Sequence, residues 1–253
     1  MHRVGKPIAE PDDFLQRCVD APAYEDAATN AAVVVSLAPD FEAVYADSHM
    51  LVLNKPAGLL AVPGRGEDKQ DCLSSRVQVQ YPDALVVHRL DMATSGLMLM
   101  ARGASVQREL SQAFAQRQIN KRYEAVVHGR MDTPSDAAED WSSINLPIAA
   151  DWPRRPLRVI DAERGKPSLT RWQLKSRDET EDTSRLMLEP VTGRSHQLRV
   201  HLQALGHPIV GDTLYGDNAV TYNTSRLLLH ACRIGLALPA SGEWVTFHCT
   251  PPF

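Results

Sequence analysis

Hydrophobic positions along this chain fall into short runs broken by polar turns, and in two places the spacing changes to that of a helix. Residues 41–45 and 50–53 are two apolar runs separated by Asp47-Ser48-His49. This predicts a hairpin ending at Asn54-Lys55-Pro56. Leu85-Val86-Val87 and Leu97-Met98-Leu99-Met100 read as buried strands, joined by a polar turn that holds Asp91. Over residues 105–117, Val106, Leu110, Ala113 and Phe114 share one face opposite Arg108, Glu109 and Arg117, the pattern of an amphipathic helix. Residues 123–129 alternate and close on a glycine, and residues 185–189 are another strand before the turn Pro190-Val191-Thr192-Gly193. Leu198, Leu202 and Leu205 then fit a short helix over 195–205. Ser195 or Thr192 would start it, and Gly206 with Pro208 would end it. Leu227-Leu228-Leu229 and Trp244-Val245-Thr246-Phe247 are closing strands, and two polar stretches, 132–140 and 175–184, read as exposed hairpin loops. Strands outnumber helices and short turns join them, so the expected class is α+β with a largely antiparallel sheet.

Composition narrows the possibilities. At 253 residues, 43% apolar and 23% charged, the chain has room for one large domain or two small ones. Residues 1–40 are rich in Ala, Asp and Pro with weak periodicity, and are expected to be an irregular acidic extension before a body spanning 41–253. No apolar run approaches the roughly 20 residues of a membrane span. The first residues lack the apolar core of a signal peptide, so a cytoplasmic protein without membrane association is expected. Cys18, Cys72, Cys232 and Cys249 are scattered without a C-x-x-C pair and read as reduced thiols rather than metal ligands. Gly64-Arg65-Gly66 lacks the rest of any nucleotide fingerprint, so no nucleotide cofactor is expected.

The charge is unevenly placed. Residues 1–49 hold nine acids and three Lys/Arg, a balance of −6, which leaves +2 for residues 50–253 of the total −4. Residues 88–130 hold seven Lys/Arg and three acids. Clustered cations in a near-neutral chain suit a local phosphate-binding face, or else an ordinary solvated helix face.

The most informative stretch is His88-Arg89-Leu90-Asp91-Met92-Ala93-Thr94-Ser95-Gly96-Leu97. It offers a carboxylate in a turn between buried strands, cations on one side of it, and a glycine that permits close backbone approach. On residue pattern alone, a simple turn aspartate is equally open. The ten positions resemble the central motif of the RluA-type pseudouridine synthases, in which the Asp of H-R-L-D-x-x-T-S-G is catalytic. Lys121-Arg122-Tyr123, Gly193-Arg194-Ser195-His196-Gln197-Leu198-Arg199, Asn54-Lys55-Pro56-Ala57-Gly58 and Arg226-Leu227-Leu228-Leu229-His230-Ala231 resemble further elements of that family. The likeness runs from about residue 44 to the C-terminus. Asp151-Trp152-Pro153-Arg154-Arg155-Pro156 and Val62-Pro63-Gly64-Arg65 point to the subgroup acting on both ribosomal and transfer RNA, which lacks an N-terminal S4 domain. The acidic extension departs from the compact family pattern.

The resemblance implies a pseudouridine synthase fold, with a mixed sheet, flanking helices and a central RNA-binding cleft. It implies isomerisation of uridine in stem-loops of 23S rRNA and in the tRNA anticodon arm. No atoms are gained or lost, so no cofactor is needed. Asp91 would act on the sugar, as nucleophile at C1′ or base at C2′, and the residues leave both routes open. Either role requires a carboxylate that stays ionised although enclosed, which an adjacent guanidinium favours, and Arg194 is the candidate partner. Tyr123 would stack on uracil or take the C5 proton, and Leu198 would pack on the base or simply belong to a helix core. The target must leave its stack, and Arg89 is placed to fill the vacated space. His88, Arg65, Lys121, Arg122, Arg154 and Arg155 are further RNA-contact candidates. A monomer is expected.

Three other readings compete. His88, His196 and His201 with Asp91 would suit a metal-dependent phosphoesterase. However, His196 and His201 are five apart and do not share a helix face, and no second carboxylate accompanies them. An RNA-binding module without catalysis would tolerate loss of Asp91. A carbohydrate hydrolase usually needs two carboxylates, and one sits in a motif here.

Overall fold

Strands β2 (Met50–Lys55) and β4 (Ser95–Arg102) lie side by side in the sheet and are buried on both faces, which is why each reads as a continuous apolar run. Leu51, Leu53, Met98 and Met100 face one cluster, while Met50, Val52, Leu97 and Leu99 face another. The computed structural model describes residues 41–133, 141–216 and 224–253. The extension expected over 1–40, and most of the loop expected over 132–140, lie outside the described residues.

The expected hairpin is present: β1 (Glu42–Ala46) pairs antiparallel with β2. β3 (Ala84–Val86) pairs antiparallel with β4, so the Asp91 segment connects two paired strands. β5 (Asn120–His128), β6 (Ser142–Asn145), β9 (Leu169–Asp178), β10 (Thr183–Pro190) and β11 (Leu229–Ala237) complete the path β1-β2-β4-β11-β5-β10-β9-β6. β12 (Trp244–His248) pairs with β11, and β7 (Ile148–Ala150) with β8 (Arg158–Ile160) forms a separate ribbon. The β4–β11 pair is parallel and the other pairings are antiparallel, giving the mixed α+β sheet. Among the described residues three α-helices flank it: α1 (Leu73–Gln80), α2 (Ala104–Ala115) and α3 (Gln197–Ala204).

The contact between β4 and β11 fixes where the Asp91 segment ends. Gly96 has φ +107°, and a Cβ there would sit 2.4 Å from the carbonyl oxygen of Ala231. Only glycine lets β11 run so close to β4 directly after the loop. Gly96→Ala is therefore expected to lose about 2–5 kcal/mol of stability, combining overpacking with backbone strain. A lowered urea midpoint at unchanged m-value would report it.

Three details differ from the sequence expectation. Residues 175–184 are mostly paired strand, with Thr183 opposite Asp178 and Ser184 opposite Arg177, leaving only residues 179–182 as a turn. Residues 175–178 of β9 are exposed on both faces, so no alternation marks them, and β10 opposite begins on the polar pair Thr183 and Ser184. Asp178 Oδ1 closes the turn by accepting the N–H groups of Thr180 and Glu181. α3 begins at Gln197, preceded by His196 in a left-handed conformation, and neither Ser195 nor Thr192 caps it. Finally, β11 begins at the last of the three leucines 227–229 and continues to Ala237.

Among the described residues, no helix is long and apolar enough to cross a membrane.

Candidate active site

The Asp91 segment is clamped from beneath by a buried lysine. Lys55, fully enclosed at the end of β2, donates from Nζ to the carbonyls of Pro56 (2.8 Å), Leu59 (2.8 Å) and Met92 (3.0 Å). The N–H of Gly58 donates to the same Met92 carbonyl at 2.9 Å. Burial pulls the Lys55 ammonium down to about 8, opposed by the nearby charge of Asp91. Behind the segment, Ser95 Oγ lies 2.8 Å from His230 Nδ1 and accepts from Arg226 Nη2. Residues of three strands and a loop thus hold the one turn that presents Asp91.

Asp91 opens into a cleft of about 640 Å³ whose walls include Arg89, Lys121, Tyr123, Arg194, His196 and Arg199. The cation beside its carboxylate is Arg199, whose Nη1 lies 3.7 Å from Oδ2. The expected partner, Arg194, lines the same cleft, but its Nη2 reaches the carbonyl of Pro167 at 3.5 Å. The pairing is corrected accordingly. Arg194 precedes α3 on an exposed turn, whereas Arg199 sits within α3 and is buried. Gln197 locks that turn: its Oε1 accepts from Thr192 Oγ1 (2.7 Å) and the Arg194 N–H (3.0 Å), and its Nε2 donates to the Leu169 carbonyl (3.0 Å).

A second carboxylate aims Arg199. Buried Asp212 accepts from Nε at 2.7 Å and Nη2 at 2.6 Å, leaving Nη1 for Asp91. Asp212 Oδ1 also accepts the N–H groups of Leu214 and Tyr215. Burial opposes the charge on Arg199. The hydrogen bonds and charge of Asp212, joined by Asp91, outweigh it and hold the guanidinium above its ordinary value.

Tyr123 comes from β5, where alternation sends Tyr123, Ala125 and Val127 to the core side with Leu186, Leu188 and Leu198. Its phenol is pushed well above the ordinary value, first by burial and then by the charge of Asp91. It is therefore a neutral hydroxyl in the free protein. Lys121 shares the cleft, while Arg122, one position on, faces the other side, where it pairs with Glu189 at 3.5 Å and lies over the Trp141 ring.

Of the other expected contacts, Arg89 is exposed on the cleft wall and makes no hydrogen bond or ion pair among the described residues. Leu198 is buried in the core and also lines the cleft. Arg65, Arg154 and Arg155 lie outside the cleft. Arg154 is bound to Asp151 at 2.7 Å, and Arg155 stacks on Trp152 at 3.6 Å. His88 lines the cleft and is committed to the fold through one ring nitrogen. Its Nε2 accepts the Leu99 N–H at 2.9 Å, its ring stacks on Phe114 at 4.4 Å, and burial pushes its pKa down to about 3. His201 is also committed, with Nδ1 2.9 Å from Thr170 Oγ1 and Nε2 2.9 Å from the Leu146 carbonyl. Those bonds occupy the nitrogens that the phosphoesterase reading needed.

The buried neutral imidazoles carry a pH prediction. Burial holds His88 near 3 and His230 near 4, against 6.5 in the unfolded chain. Below pH 6.5 the unfolded chain binds protons that the folded one refuses. Stability should therefore fall as pH drops from 6.5 toward 4, by up to about 1.4 kcal/mol per pH unit for each histidine. Urea midpoints measured between pH 7 and 5 test this, and a midpoint constant over that range would contradict it.

Reading the sequence alone missed Arg199 and Asp212 as site residues and weighed His196 only as a metal ligand. The available signal was a charged residue between Leu198 and Val200 on a short apolar helix, a place where arginine requires a buried partner.

The family model described as RNA pseudouridylate synthase matches residues 49–204. A dual-specificity RNA pseudouridine synthase RluA from Vibrio parahaemolyticus is 46% identical over 210 residues, covering 82% of this chain and 81% of the relative. The Escherichia coli K12 protein of the same name is 44% identical, covering 83% of this chain and 93% of the relative. The solved structure of human RNA pseudouridylate synthase domain containing 1 superposes with a TM-score of 0.69 at 29% identity, covering 85% of each chain.

Proposed function

Since the chain belongs to the RNA pseudouridylate synthase family, we propose that it isomerises uridine to pseudouridine in stem-loops of 23S ribosomal RNA and in the transfer RNA anticodon arm. Support for the dual substrate is the dual-specificity name that relatives carry, matched over most of their length. The observation that carries the chemistry is a cleft holding Asp91, Tyr123 and Arg199 together, with Arg199 Nη1 3.7 Å from the Asp91 carboxylate.

In this reading the bond from N1 to C1′ breaks while Asp91 acts on the sugar. The uracil turns within the cleft, and C5 joins C1′. The hydrogen on C5 must then leave. As a neutral phenol, Tyr123 accepts it while passing its own hydroxyl proton to the released Asp91 carboxylate. N1, freed from C1′, gains one proton in exchange with solvent as Asp91 gives its proton back, so that no atom is gained or lost. Arg199 supplies fixed positive charge as the negative charge moves between carboxylate and base. Arg89 fills the space the target uridine vacates, and Lys121 and Arg194 hold flanking phosphates. One chain supplies all of these groups, which suits a monomer working in the cytoplasm without a cofactor. Mapping pseudouridine in total RNA from cells with and without this protein tests the proposal. Loss of pseudouridine at one rRNA and one tRNA position is expected, and identical maps would reject it.

A further inference from the structure

His196 approaches Asp91 through an uncommon backbone geometry. It precedes α3 with φ 58° and ψ 15°, a left-handed region that Asn, Asp and His enter more readily than other non-glycine residues. This bend sets its ring between two neighbours. Nδ1 lies 2.7 Å from Tyr215 Oη, and Nε2 lies 4.0 Å from Asp91 Oδ2. Tyr215 Oη also accepts the backbone N–H of Arg158 at 2.8 Å. Burial, foremost, holds the Tyr215 phenol above its ordinary value, so the hydroxyl keeps its hydrogen. With one lone pair already engaged, that hydrogen goes to Nδ1. Burial also keeps the His196 imidazole neutral, so the tautomer assigned by this network carries its hydrogen on Nε2, facing Asp91.

Both groups that approach Asp91 come nearest to the same atom. Arg199 Nη1 is 3.7 Å and His196 Nε2 is 4.0 Å from Oδ2, ion-pair separations that put both N–H groups on the Oδ2 side of the carboxylate. We infer that His196 is a positioning residue which, with Arg199, claims Oδ2 of Asp91 and leaves Oδ1 as the oxygen that acts on the sugar. Oδ1 then either gives its electron pair to C1′ as the C1′–N1 pair leaves with uracil, or takes the C2′ proton. In each case Oδ2 faces the positive charge of Arg199 and the N–H of His196, which oppose rotation of the carboxylate between steps. The inference rests on the isomerase reading above and specifies how its carboxylate is aimed.

Two substitutions separate this role from a structural one. His196→Asn keeps a residue that tolerates the left-handed backbone and keeps a polar atom at the Nδ1 position for Tyr215, but nothing at Nε2. His196→Gln places an N–H at the Nε2 position and is the poorer choice for that backbone. Single-turnover conversion of an RNA stem-loop should fall roughly 10- to 100-fold for His196→Asn, the range of a misaimed reacting group, with RNA affinity unchanged. His196→Gln should stay within roughly threefold of wild type, since the donor is retained. A structural role gives the reverse order. The inference is overturned if His196→Asn converts RNA at the wild-type rate, or if His196→Gln falls as far as His196→Asn. Wild-type protein that forms no pseudouridine on any stem-loop overturns the isomerase reading and this inference with it.

Discussion

Asp91→Asn is expected to abolish pseudouridine formation, by at least about 10⁴-fold, the scale on which enzymes lose rate when a group acting directly on the substrate is removed. The amide is close in size to the carboxylate, and the turn that carries it is held by contacts that do not involve the side chain. Those contacts are the bonds from Lys55 and Gly58 to the Met92 carbonyl and from the Thr94 N–H to the Asp91 carbonyl. The fold should survive. RNA affinity should stay within a few-fold, because phosphate contacts dominate it and Arg89, Lys121 and Arg194 remain on the cleft wall. An RNA-binding module would show no such separation between binding and product. Gel-shift affinity and nucleoside analysis on one preparation measure both quantities.

Arg199→Met carries the second-largest effect, and it acts on activity and stability together. Removing the guanidinium takes away the charge beside Asp91, a loss of about 10²- to 10³-fold by comparison with deletion of other transition-state donors. It also strands Asp212, which is fully buried and whose two oxygens both receive Arg199. An uncompensated buried carboxylate costs about 3–5 kcal/mol. The double variant Arg199→Met/Asp212→Asn should recover part of the stability, because an asparagine oxygen can still accept the Leu214 and Tyr215 N–H groups, yet recover none of the activity. Arg194→Met should leave stability near wild type and affect RNA affinity more than the rate of conversion. If Arg194→Met and Arg199→Met lose conversion equally, the assignment of Arg199 as the partner of Asp91 is wrong.

Part of the sheet was legible, while β6, β7, β8 and the alternating first half of β9 were not read. β2 and β4 are buried on both faces and read as unbroken apolar runs, and α2 showed its apolar face plainly. α1 was not legible, because Val77-Gln78-Val79-Gln80 alternates like a strand and only Leu73 and Val77 of its apolar residues reach the core. The paired end of β9 is exposed on both faces and the facing start of β10 is polar, Thr183 and Ser184, so both look like loop. Asp91 and Tyr123 were readable from their segments. The choice between Arg194 and Arg199 was not, since it depends on where α3 starts. The left-handed His196 interrupts the frame between the two arginines, and it takes a buried carboxylate thirteen positions after Arg199 to settle which one turns inward. Long-range charge pairing of this kind leaves no local periodicity.

Carboxylate chemistry at Asp91 predicts one observable directly: each uridine converted must lose the hydrogen on C5. An RNA anticodon stem-loop labelled with a hydrogen isotope at uridine C5 makes this measurable, with wild type and Asp91→Asn run side by side at saturating protein. Wild type should release one label for each pseudouridine formed, and the bound Asp91→Asn variant should release none. Label released by Asp91→Asn at the wild-type rate would contradict the account.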